Sequence, residues 1–130
     1  MVYLFYFILA GVSGMLFSCT QNEARQDVAA KVQTVAPAEF IQGETLYQNH
    51  CARCHGGKAA GTDQGPPFLS PIYEPGHHGD DSFVLAARNG VRAHHWSFGD
   101  MPPLPAVKEE EVRLIVGYVR WLQREAHHND

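Results

Sequence analysis

The sequence predicts a small all-α domain: a helix near residue 41, a short middle helix, a long C-terminal helix and long irregular loops. Three observations predict it. Apolar residues recur at helical spacing in three stretches. Almost no run alternates β-branched residues as a strand would. Glycine and proline crowd the segments between the three stretches. At 130 residues the chain is long enough for one domain and something extra. Its hydrophobic content of 45% excludes disorder throughout. The net charge is −4 and no basic patch stands out, so no nucleic-acid partner is expected.

The extra segment comes first. Residues 1–18, "MVYLFYFILAGVSGMLFS", carry no charged side chain, and the chain turns polar after Cys19. About 18 apolar residues is the lower end of a membrane-spanning length, and the same run reads as a secretory signal. The stretch "LFSC", Leu16 to Cys19, resembles the lipobox of bacterial lipoproteins. That resemblance implies that Cys19 becomes the lipid-bearing first residue of the mature chain. Signal and anchor would both export the domain and tie it to a membrane. Residues 19–38 are polar and alanine-rich without sustained periodicity, and read as a flexible tether. The folded domain is expected over 39–126, with 127–130 a disordered tail.

The first helix is expected from about 41 to 54. Phe40, Leu46 and Tyr47 recur with helical spacing, Glu44 sits early, and Gly56-Gly57 permits a left-handed stop. Gly43 lowers helix propensity and so marks close approach of another element. Residues 56–79 read as loop, with one short turn of helix in "PFLSPIY". "DDSFVLAARNG" (80–90) reads as a short helix, capped by Asp80 or Asp81, facing inward through Phe83, Val84 and Ala87, and stopped at Asn89-Gly90. Pro102, Pro103 and Pro105 forbid a regular helix within 91–106. The last helix is expected over about 109–125. Val112, Ile115, Val116, Val119 and Leu122 form its inward stripe, which Leu114, Tyr118 and Trp121 broaden.

Chemistry concentrates in "NHCARCHGG" (49–57). The domain holds only two cysteines, Cys51 and Cys54, since Cys19 belongs to the export segment. A structural zinc site needs four nitrogen or sulfur ligands, and the histidines stand at no zinc-site spacing. A thioredoxin-like motif needs a βαβ context that is missing. On a helix, Cys51, Cys54 and His55 stand at i, i+3 and i+4 and share one face. Two thioether bonds can then grip one side of a planar macrocycle while the imidazole reaches its iron. C-x-x-C-H is the attachment pattern of haem c, and one covalent haem is expected here. A buried haem also supplies the apolar centre that loops this long would otherwise lack. Met101 follows His55 by 46 residues. A loop folded over the haem would bring its soft, neutral thioether to the iron, raising the reduction potential. Core filling is the plainer role for this methionine, and His94 and His95 are its rivals as ligand.

Several separated motifs, in order, resemble class I cytochrome c over about residues 40–124. They are "GETLYQNHCARCHG" (43–56), "GPPFL" (65–69), "RNGV" (88–91), "GDMPPLP" (99–105) and "VRLIVGYVRWL" (112–122). The resemblance implies that the N- and C-terminal helices cross, with Gly43 and Tyr47 packed against Tyr118, around one covalent haem. It implies Cys51 and Cys54 as thioether positions, His55 and Met101 as axial iron ligands, and Pro66 as the carbonyl that fixes the His55 ring. It implies a one-electron carrier, not an enzyme. Its donor and acceptor would be redox proteins on the periplasmic side of a bacterial membrane, and a monomer is expected. No nucleophile or general-base constellation is visible. The family's usual lysine ring for docking acidic partners is not obvious in this acidic domain. Trp96 and Phe98 read as pocket or loop-anchoring residues.

The histidine pairs depart from the family pattern: His77-His78, His94-His95 and His127-His128. They read either as solvated loop residues or as a second metal site, copper being one candidate. Convergence of His77, His78, His94 and His95 in space would separate the two. Two other functions stay open: a haem-based sensor or small oxidoreductase with Met101 displaced, and a periplasmic metal-binding lipoprotein built on the histidine pairs.

Overall fold

A computed structural model of the chain describes residues 35–128. The expected export segment over 1–18, most of the expected tether and the last two residues of the expected tail lie outside the described residues. Within them the order is a 3-10 turn at Ala38–Phe40, α1 at Ile41–His50, α2 at Ala52–His55, 3-10 turns at Gly57–Ala59 and Pro71–Tyr73, α3 at Asp80–Asn89 and α4 at Glu109–His128. The fold is all-α, and one isolated antiparallel bridge joins Val91 to Met101. No helix among the described residues is long and apolar enough to cross a membrane.

The crossing of α1 on α4 is the centre of the fold. A Cβ at Gly43 would run into the Leu114 carbonyl oxygen and stand 3.1 Å from Tyr118 Cβ, so only glycine lets the two backbones approach this closely. Tyr47 and Tyr118 are fully buried, with ring centroids 5.6 Å apart. Phe40 stacks on Trp121 at 6.0 Å. Ala36, at the end of the expected tether, is also buried in this core, so the packed chain begins earlier than residue 39. A second cluster joins α3 to α4 through Val84, Ala87, Val112 and Val116.

Four expectations change in detail. The helix expected over 41–54 breaks at Cys51, whose φ of −119° departs from helical geometry, giving α1 and α2. Neither Asp80 nor Asp81 caps α3. Gly79 holds that position, and Asp80 Oδ1 is engaged instead by Arg120 Nε at 2.8 Å. Leu114 is 39% exposed, because its backbone carbonyl, not its side chain, abuts α1. Finally, α4 runs on to His128, so His127 and His128 are helical. There Ala126 packs on the core, and His127 Nε2 lies 2.9 Å from Glu74 Oε1.

Candidate functional site

The haem-type motif sits on a short helix held from both ends. Tyr47 donates its hydroxyl to the Gly56 carbonyl at 2.8 Å, pinning the exit of α2 to the helix crossing. Gly56 leaves α2 with a φ of +76°, as a left-handed stop requires. The chain then folds back. Gly61 N–H bonds to the His55 carbonyl at 2.7 Å, Thr62 Oγ1 donates to the Cys54 carbonyl, and Gly65 packs directly on that carbonyl. This return brings the Pro66 carbonyl within 3.0 Å of His55 Nδ1. A carbonyl oxygen only accepts, so Nδ1 carries the proton and Nε2 keeps the lone pair. Burial pulls the His55 pKa down and so favours the neutral imidazole a metal needs, and the bond to Pro66 offsets this only in part.

Cys51, Cys54, His55, Pro66 and Met101 all line one cavity of about 460 Å³. Phe83, Val91, Leu104, Val112 and Ile115 give it an apolar wall. Cys51 and Cys54 are free, with no disulfide between them. Burial, and after it the neighbouring Cys54, pushes the Cys51 thiol up to about 11. A thiol so disposed is neutral at physiological pH, the opposite of the low-pKa thiolate of a disulfide oxidoreductase.

Met101 is placed by its backbone. Its N–H and carbonyl exchange bonds of 2.9 Å with Val91. Gly90 ends α3 with a φ of +73°, and a Cβ there would meet the Met101 carbonyl oxygen at 2.6 Å. Leu104 N–H caps the Ala87 carbonyl at 2.7 Å. The last turn of α3 is thus the seat of the methionine loop. Trp96 and Phe98 stack at 5.8 Å and both line the cavity. The Trp96 indole N–H is buried and approaches the Tyr73 hydroxyl without closing a well-formed hydrogen bond. Two free thiols, an imidazole with a fixed lone pair, a thioether and an apolar cavity fit a covalent haem.

Two residues of this region were not anticipated. Arg120 and Gln123 are buried on α4. Arg120 donates to the carbonyls of Tyr73 and His78, at 2.5 and 2.6 Å, and to Gln123 Oε1 at 2.8 Å. Gln123 donates to the carbonyls of Phe68 and Tyr73 at 2.7 and 3.0 Å. Together they clamp the loop that follows Pro66. Their one sequence signal is position: both continue the Val112–Val116 row, so they are polar residues on an apolar face. The four loop histidines, 77, 78, 94 and 95, also converge, with neighbouring ring centroids 4.3–6.2 Å apart. Desolvation and then the other imidazoles hold His95 below the usual histidine range.

An all-α fold that closes long loops over a C-x-x-C-H motif defines a c-type cytochrome. The family model for cytochrome c matches residues 40–123, and the chain belongs to that family. No curated protein and no solved structure matches it. The family carries covalent haem c and works by haem-based electron transfer. The spacing of Cys51 and Cys54 is the one haem c attachment needs.

Proposed function

We propose that this chain is a one-electron carrier whose iron is held by His55 and Met101. The observation that carries the reading is the commitment of His55 Nδ1 to the Pro66 carbonyl, while the ring shares one apolar cavity with both thiols and Met101. When bound, haem supplies a one-electron couple. The chain's residues do the rest. Cys51 and Cys54 anchor the group covalently. The Pro66 carbonyl orients His55 and raises its basicity. Met101 offers a neutral sulfur that favours the reduced form. Phe83, Leu104 and Ile115 exclude water from the cavity, which keeps reorganisation small. In this reading the chain is exported and tied to the periplasmic side of a bacterial membrane, by a lipid on Cys19 or by the 1–18 segment. Its donor and acceptor are redox proteins.

The test is the visible and near-red spectrum of the oxidised haem protein beside that of Met101→Ala. A sulfur-to-iron charge-transfer band that disappears in the variant supports His55/Met101 ligation. A band that is absent, or that persists in the variant, rejects it. Carbon monoxide binding to the reduced, unmodified protein would favour a haem-based sensor or a small oxidoreductase with an opened distal site instead.

A further inference from the structure

We propose that His77, His78 and His95 form a second metal site, separate from the haem iron, for a divalent late first-row transition ion, with Cu²⁺ bound most tightly. The three residues come from two loops and meet at the rim of the haem cavity. His77 Nε2 and His95 Nε2 are 3.4 Å apart. Metal–nitrogen bonds of about 2.0–2.1 Å give nitrogen–nitrogen edges of about 3.3–3.4 Å in a tetrahedral shell and about 2.8–3.0 Å in the tetragonal shell Cu²⁺ prefers. The pair stands at the first edge and within about 0.6 Å of the second, a gap that rotation of two exposed rings closes. One ring nitrogen from each of the three residues lies within 4.8 Å of the others, so rotation of exposed side chains closes the set.

The set is oriented from behind. His78 Nδ1 donates to the Ile72 carbonyl at 2.6 Å, which leaves Nε2 as its ligating atom. Metal-bound histidines are characteristically fixed in this way. The backbone beneath His77 and His78 is tied down as well, both N–H groups bonding to the Glu74 carbonyl. His78's own carbonyl accepts from Arg120. On the other loop, Asp100 Oδ1 accepts from Ala93 N–H at 2.9 Å, and His94 Nδ1 donates to the Arg92 carbonyl at 2.8 Å. His94 thereby directs its free nitrogen away from the backbone. Its ring is 4.3 Å from that of His95, a fourth donor beside the three.

The donor chemistry selects the ion. The carboxylates on these loops and the adjoining end of α3 are already engaged: Asp80 by Arg120, Asp81 by Arg113, Glu74 by His127 and Asp100 by the Ala93 N–H. What remains is neutral imidazole nitrogen, which suits copper, zinc and nickel and not the oxygen-seeking Mg²⁺ or Ca²⁺. Among divalent ions, Cu²⁺ stands at the top of the affinity order.

The experiment titrates the haem-loaded full chain, stripped of loosely held metal, with Cu²⁺ at neutral pH. Bound copper per haem, the copper electron paramagnetic resonance signal and the haem absorption spectrum are read together. One copper per haem, with hyperfine structure from several nitrogens and an unchanged haem spectrum, is the expected result. His77→Ala and His95→Ala should each weaken binding about tenfold or more, and the His127→Ala/His128→Ala double variant should leave it unchanged. His77 and His95 are exposed, so the variants should keep their haem spectrum and helical content. The resonance signal of the unmodified protein stands as a test that needs no variant. The proposal is overturned by copper without nitrogen ligation, or by binding that survives both single substitutions. It is equally overturned if His95→Ala alters the haem spectrum, since that imidazole would then belong to the iron.

Discussion

Two loops wall the haem cavity, and they are held by different means. The 56–79 loop is built into the protein. Ala59, Ala60 and Phe68 are buried, and Arg120 and Gln123 gather the carbonyls of Phe68, Tyr73 and His78 from the side of α4. The 91–106 loop has no fully buried residue. Its ties include the Val91–Met101 bridge, the Leu104–Ala87 bond, one side-chain contact from Asp100, and the exposed contacts of His94 with the Arg92 carbonyl and of His95 with His77. Its apolar side chains, Trp96, Phe98, Met101 and Leu104, are spent on the cavity. The first loop is therefore held mainly by protein contacts, and the second is expected to depend more on what fills the cavity. Stability should be concentrated in the first and ligand-dependent order in the second.

The largest expected break in this contrast is Arg120→Ala. It strips partners from two loop carbonyls, from Gln123 Oε1 and from Asp80 at once. Asp80 is mostly exposed, so the loss comes chiefly from the buried hydrogen bonds. A cost of about 3 kcal/mol is expected in denaturant unfolding. Faster hydrogen exchange should appear in 68–79, with 91–106 little changed. If both loops loosen equally, the clamp is not specific to the first.

Next is Tyr47→Phe. It leaves the buried Gly56 carbonyl without its 2.8 Å donor, at about 1–2 kcal/mol. The same residue sets a pH limit. Burial above all raises the Tyr47 hydroxyl well above its usual value near 10. Above pH 10 the unfolded phenol loses its proton while the folded one keeps it. This contribution to stability is therefore complete below pH 10 and falls as pH rises beyond it. Tyr47→Phe should flatten the alkaline limb of a stability–pH curve. An unchanged slope would mean that the hydroxyl is not held in its neutral form.

The same contrast explains what could be read from residues alone. The α4 stripe, the α3 face and the C-x-x-C-H spacing are local patterns, each set by helical periodicity over a few turns, and they appear where expected. The clamp was not legible, because Arg120 meets carbonyls 42 and 47 residues upstream and a carbonyl has no sequence identity. Asp80 looked like a cap for the same reason: nothing local shows that a guanidinium 40 residues away will claim it. The meeting of His77 with His95 depends on how two loops close over one cavity, which periodicity does not encode.

The smallest expected effect probes the weaker loop. Asp100 is exposed, and its carboxylate accepts from Ala93 N–H at 2.9 Å. Asp100→Ala should cost about 0.5 kcal/mol or less in global unfolding, since an exposed bond exchanges readily with water. Its local effect should be larger. The Ala93 amide should exchange faster, and the 94–98 segment with it, while the Met101 amide stays protected by its bond to Val91. The bridge and the Asp100 tie would then be separate devices, one fixing the methionine and the other the histidine and tryptophan segment. Loss of Met101 protection together with Ala93 would merge them, and the seat on α3 would no longer be enough to hold the methionine by itself.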